Sequence, residues 1–214
     1  MAKLKYKNFR VMPVSVDTIY EGGKVLDNPK HRCLYYFLYL TACRITESLF
    51  VRKQDIKKEL VDNYSFLIMT LRTEKNPTQN FRTLPILIDK TPEGKMAEFI
   101  VNYIDNLKED DLLFAGLDRK MAWYFLRKVH FTSIATKWEL EDGKNKKTEI
   151  VNHHFVLHPH FLRRCRLSHL SASGMSAQNL KQYAGWSNIA PSDSYVMLNY
   201  KDLVNAIINM KRGQ

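Results

Sequence analysis

Apolar positions are unevenly spread along the chain, and their spacing changes character several times. Residues 1–28 show no sustained period and read as an extended or irregular segment with a turn at Gly22-Gly23. From Asn28 to about Phe50 the pattern is helical. Pro29 suits a first turn, and Tyr35, Phe37, Leu38, Leu40 and Ala42 supply the apolar content. Asp55 to Glu59 reads as a connecting segment. Ser65–Arg72 and Phe81–Ile88 are rich in β-branched and large apolar residues, and the turn formers TEKNPTQN between them predict a β-hairpin. Thr91–Leu107 returns to a helical stripe, with Thr91 as cap and Pro92 in the first turn. Asp118–Val129 is a second such helix. Ser133–Glu139 and Thr148–Phe155 predict two strands joined by an exposed basic turn, EDGKNKK. Helices follow around Phe161–Ser171, Ser176–Ala184 and Tyr200–Met210. The predicted fold is mostly α with one or two small β-hairpins, an α+β arrangement. It divides into an N-terminal segment, 1–28, and one domain, 29–214. The closing helix, about 200–214, has an apolar stripe of Leu203, Ala206, Ile207 and Met210, suited to packing on its own core or in trans on a neighbouring protomer.

Composition narrows the class of partner. The chain has 214 residues, of which 45% are hydrophobic and 12% aromatic, enough for a substantial core. Its 33 Lys and Arg against 22 Asp and Glu leave a net charge of +11, which favours nucleic acid or another anionic surface. No apolar run approaches the roughly 18 residues of a membrane span, and MAKLKYKNFR lacks a signal-peptide core. The expectation is a soluble, intracellular (cytoplasmic) protein without membrane contact. Cys33, Cys43 and Cys165 form no CxxC pair and read as buried free thiols in a reducing compartment.

Three constellations carry chemistry. In TACRITE, Arg44 and Glu47 are three apart and share a helix face, which alone describes an ordinary surface ion pair. In HPHFLRR, His160 and Arg163 are spaced to face one anion near a helix start. Arginine supplies a planar donor fork for phosphate, and histidine exchanges a proton near neutral pH. His154 and His158 have i, i+4 spacing, but no glutamate intervenes as in HExxH, so no metal is expected. The third constellation is Gly185-Trp186-Ser187, followed by Tyr195 and Tyr200.

Taken in order, these boxes resemble the tyrosine recombinase (phage integrase) family, whose chemistry is shared with type IB topoisomerases. Arg44 and Glu47 fit the family's GlRxxE, with Ala42 where glycine is usual, and Asp55 keeps the spacing to a later aspartate. Lys75 precedes Arg82-Thr83-Leu84-Pro85-Ile86, matching a hairpin lysine ahead of an R-x-x-P strand; Arg72 or another lysine could substitute for it. His160 and Arg163 match H-x-x-R, with Arg164 in place of the second histidine of HxLRH. Gly185-Trp186-Ser187 matches G-[HW]-S, and Tyr195 falls where the nucleophilic tyrosine is expected. The resemblance covers about residues 30–205, the family's catalytic domain. The usual N-terminal clamp domain has no counterpart in the first 28 residues, which implies a catalytic fragment or a reduced, single-domain member.

The resemblance implies a site-specific recombinase or integrase acting on double-stranded DNA, self-associating as a dimer or tetramer. Tyr195 would attack the scissile phosphorus to form a 3′-phosphotyrosyl ester. Arg44 and Arg163 would hold the non-bridging oxygens, and Lys75 would protonate the leaving 5′-oxygen. His160 would bond the phosphate and help remove the phenolic proton, Trp186 would donate its indole N–H, and Glu47 would position Arg44. No cofactor is implied, because the ester conserves the bond energy and the chain lacks a GxxxxGK[ST] motif. A topoisomerase without synapsis and a noncatalytic DNA-binding protein of the same fold are the alternatives.

Overall fold

The computed structural model describes residues 9–73, 81–141 and 144–188. Its centre is a helix, α2 (Pro29–Thr41), whose residues from Cys33 onward are all buried. The sequence starts it firmly. Asn28 Oδ1 accepts from the Lys30 and His31 amides at 2.9 and 3.4 Å, and Pro29 occupies the first turn. A helix apolar on every side must be surrounded, and α1 (Val16–Lys24), α4 (Pro92–Ile104), α5 (Arg119–Leu126) and α6 (Pro159–Ala172) all pack on α2. Its tyrosines bury their rings and spend their hydroxyls on neighbours. Tyr35 donates to Ile19 O at 2.8 Å and Tyr36 to Tyr20 O at 2.9 Å, which seats α1. Tyr39 bonds His169 Nδ1 at 2.8 Å, and the other ring nitrogen of His169 reaches Val14 O at 3.0 Å.

The N-terminal segment therefore departs from the expected extended form. After strand β1 (Phe9–Val11), Ser15 accepts from the Thr18 amide at 3.1 Å and opens α1. Gly22 and Gly23 lie inside that helix and make no turn. A Cβ on Gly23 would stand 2.2 Å from the Tyr36 ring, so the glycine serves close helix packing on α2.

The helix expected to run from 28 to 50 is two helices. Ala42 takes a left-handed conformation (φ 48°) that stops α2, and a short α3 (Ile45–Ser48) restarts with Arg44 at its cap. The left-handed turn explains why glycine is the residue usual at this place, since a Cβ there costs about 1 kcal/mol. The segment 55–59 is also more than a connector. A 3₁₀ turn over Lys53–Asp55 leads into β2 (Ile56–Val61), which pairs with β3 (Tyr64–Arg72) across Asp62 and Asn63, both at positive φ. With β4 (Phe81–Leu87) this makes an antiparallel sheet, β2-β3-β4, where the sequence predicts a hairpin.

The second hairpin is longer than predicted. β5 (His130–Glu141) and β6 (Lys144–Val156) pair nearly end to end, and β1 adds a third strand against β5. The KNKK run at 144–147 belongs to β6, opposite residues 138–141, and not to the turn. α7 (Ala177–Ala184) follows α6 and ends at Gly185, φ 68°. The mostly helical α+β architecture stands, with two small three-stranded sheets. The predicted 200–210 helix, and with it the boundary at residue 200, lies outside the described residues. No described helix is long and apolar enough to cross a membrane.

Candidate active site

Two chain reversals build the site. At the first, Arg44 caps α3 and Glu47, in the first turn, folds back on it. Glu47 Oε2 accepts from the Arg44 amide at 2.9 Å, and Oε1 accepts from Arg44 Nη1 at 2.8 Å. The pair is not the solvated surface bridge that spacing alone describes, because the Glu47 side chain is fully buried and Arg44 is only 22% exposed. A buried carboxylate must be compensated, and Arg82 on β4 completes the compensation, donating to Glu47 Oε2 at 2.9 Å. Burial pushes the Glu47 carboxyl up, but the two arginines outweigh it and hold it below the usual carboxylate range. Glu47 is therefore an anion at neutral pH, and the Arg44 guanidinium has a fixed direction.

At the second reversal, His158 caps α6 and Pro159 opens it. This geometry separates His154, on β6, from His158, so the two do not share a helix. His154 Nδ1 instead bonds Thr132 Oγ1 at 2.8 Å, and among the described residues no group of three or more His, Cys, Asp or Glu could hold a metal ion. His160, exposed in the first turn of α6, stacks on His158 with ring centroids 5.5 Å apart. Its pKa is lowered from the ordinary imidazole value, first by partial burial and then by His158, Arg163, Arg44 and Arg119. A neutral imidazole able to accept a proton is what results at pH 7.

Arg44 and His160 line one cavity of about 220 Å³, together with Cys43, Ile45, Thr46, Pro159 and Arg119. Two guanidiniums and an imidazole on one concave wall make an anion site, and its size suits a phosphate group. Arg119, in the first turn of α5, was not picked out from the sequence. Its only local signal is the Asp118 cap, whose Oδ1 accepts from the Met121 amide at 2.6 Å, and such caps are common. Arg119 reaches the cavity through tertiary packing, which no spacing rule reports.

Arg163 lies on α6, three residues after His160. It is 2% exposed, and it donates from Nη1 to Ala42 O and from Nη2 to Ala184 O, the latter at 2.9 Å. It thereby ties together the left-handed end of α2 and the end of α7, with its guanidinium carbon 5.9 Å from the Trp186 ring centroid. Trp186 is buried against this clamp. Arg164, standing where the family's second histidine is common, turns toward Val11 O at 3.5 Å on β1. Cys33, Cys43 and Cys165 are buried free thiols, and burial pushes Cys43 up to about 11. Lys75 and Tyr195 lie outside the described residues, as does Tyr200. The structure thus brings together Arg44, Glu47, His160, Arg163 and Trp186 from three distant stretches of chain.

The profile of the phage integrase family matches residues 16–202. Comparison with curated proteins returns no match. Among solved structures, the XerA recombinase resembles this chain with a TM-score of 0.60 at 16% identity, covering 93% of this chain and 65% of that one. The XerH site-specific recombinase bound to its difH substrate before cleavage gives 0.50 at 14% identity, over 90% of this chain and 51% of that one. Its post-cleavage complex on a palindromic substrate gives 0.53 at 14% identity, over 97% and 55%. This chain therefore spans about half to two thirds of the length of those recombinases, and the likeness is one of fold. Joined to the family profile, which takes in most of the sequence, it establishes that the chain belongs to the phage integrase family of tyrosine recombinases.

Proposed function

We propose that this chain carries the catalytic domain of a site-specific recombinase or integrase that breaks and rejoins double-stranded DNA without metal or ATP. The observation that carries the reading is the cavity in which Arg44, held by a buried carboxylate, and a neutral His160 share one wall with Arg119. A phosphodiester seated there meets fixed positive charge where negative charge gathers during in-line displacement, so little reorganisation is needed in the transition state. Tyr195 is the nucleophile: its oxygen bonds to phosphorus as the 5′-oxygen departs, leaving a 3′-phosphotyrosyl ester. His160 accepts the phenolic proton directly or through water, and Lys75 donates a proton to the leaving oxygen. Arg163, with Arg44, holds the non-bridging oxygens, and its bonds to Ala42 O and Ala184 O keep the chain beside Arg44 in register with Trp186. Attack on the ester by a second 5′-hydroxyl reseals the strand. The excess of Lys and Arg supports backbone attraction that weakens with salt, and paired sites imply self-association on DNA.

The test is an SDS-resistant protein–DNA adduct formed on nicked duplexes in EDTA, comparing wild type with Tyr195→Phe and Tyr200→Phe. The expected adduct disappears with Tyr195→Phe alone while DNA affinity is kept. Loss with Tyr200→Phe alone would reassign the nucleophile. Tight binding by wild type with no adduct on any substrate would overturn the catalytic reading.

A further inference from the structure

Arg82 has no step in the reaction set out above, yet it touches several parts of the site's scaffold. It sits on β4, directly after the 74–80 stretch that holds Lys75, and its side chain is 1% exposed. Nη2 donates to Glu47 Oε2 at 2.9 Å, and Nη1 donates to Thr73 Oγ1 at 3.2 Å, at the near edge of that same stretch. Nη1 also stands 2.6 Å from where a Cβ on Gly185 would be, so the guanidinium packs on the backbone immediately before Trp186. One rigid, planar cation therefore meets the carboxylate that directs Arg44, the strand entering the lysine segment, and the turn leading into the tyrosine segment.

Stability alone does not account for this arrangement. A charged pair buried at 1% and 0% exposure gains little over apolar side chains of the same volume, because desolvation offsets the attraction. What the pair does supply is direction. Among the described residues, Glu47 receives hydrogen bonds from the Arg44 amide, Arg44 Nη1 and Arg82 Nη2. Without Arg82, the shared oxygen would lose a charged donor, in a place where burial favours the protonated acid. A protonated Glu47 no longer holds Arg44 as an ion pair.

We infer that Arg82 is a positioning residue for strand cleavage, fixing the Glu47 carboxylate that aims Arg44 and tying that aim to the backbone at Thr73 and Gly185. The inference rests on the recombinase reading, and its test separates the two. Wild type, Arg82→Met, Arg82→Lys, Glu47→Gln and the Arg82→Met/Glu47→Gln pair are compared for single-turnover cleavage, DNA affinity and the pH dependence of cleavage. The ¹H–¹⁵N signals of the Arg44 guanidinium are followed in the same proteins. Arg82→Met should slow cleavage roughly 10- to 100-fold at unchanged affinity. Its acid limb should move to higher pH, because Glu47 loses a partner that holds its pKa down. Arg82→Lys, which keeps the charge, should recover much of the rate, and the double variant should be no slower than the slower single one. Distinct Arg44 guanidinium signals should persist in wild type and Arg82→Lys and merge in Arg82→Met.

A folded Arg82→Met protein with wild-type rate, acid limb and Arg44 signals would overturn the inference, as would parallel loss of affinity and cleavage. If Arg82→Met does not fold, Arg82→Gln takes its place with the same expected shifts. A wild type that cleaves nothing refutes the recombinase reading, whereas Arg44 signals indifferent to Arg82 refute the positioning role.

Discussion

The two arginines central to the site are immobilised by opposite means. Arg44 is held by an anion: Glu47 grips both its backbone amide and its guanidinium, and its face toward the cavity stays open. Arg163 is held by two backbone carbonyls at the ends of α2 and α7 and is almost wholly buried. An arginine held by a carboxylate keeps its direction only while that carboxylate is ionised, so its geometry depends on pH. An arginine held by carbonyls does not titrate with its partners, and its geometry depends on how two helices meet. The first arrangement leaves charge facing the cavity; the second ties two donors to the ends of two helices. Arg44, His160 and Arg119 line the cavity itself.

Substitutions that sharpen this contrast should differ in what they damage. The largest effect on the fold is expected from Arg163→Met. It leaves the Ala42 and Ala184 carbonyls without their donor inside the protein, at about 1–3 kcal/mol for each unsatisfied group. A marked fall in the thermal midpoint, with cleavage lost alongside it, is the expected result. An unchanged midpoint would show that the carbonyls find other partners and that the clamp is not structural.

A smaller effect on stability is expected from Gly185→Ala. The residue has φ 68°, and a new Cβ would press on Arg82 Nη1, so a loss of about 1–2 kcal/mol follows from the backbone alone. Cleavage should fall further than stability does, because the displaced guanidinium is the one that holds Glu47. Chemical denaturation and single-turnover cleavage on the same preparation separate the two.

How far the sequence disclosed this site follows from the kind of signal each part carries. Boxes of fixed local spacing were legible: Arg44 with Glu47, His160 with Arg163, and Gly185-Trp186-Ser187 all fall where a helix begins or ends. α2, α4, α6 and α7 were legible from caps and apolar content. The start of the chain was not, because Gly22-Gly23 is a turn signal by composition and becomes a packing contact only when Tyr36 and Phe131 are placed against it. The break at Ala42 was hidden for a similar reason, since alanine is the best helix former and here occupies a left-handed turn. β2 was missed where its exposed, charged residues mask the period of a strand that buries little beyond Ile56. Arg82 was visible as part of a strand motif, and Arg119 as one basic residue among many. Neither could be tied to Arg44 before the chain was folded, because those contacts cross between elements far apart in sequence.

The most direct test of the account is single-turnover cleavage by Arg44→Ala, measured beside its DNA affinity and thermal midpoint. Arg44 is part-exposed but shares with Arg82 the compensation of the buried Glu47 carboxylate, so the midpoint should fall while the protein stays folded. Cleavage should fall by about 100- to 1000-fold, the cost of one lost donor to the charge of a transition state, while affinity changes little. Near-wild-type cleavage, or a loss of affinity as large as the loss of rate, would contradict the claim that Arg44 acts on the scissile phosphate.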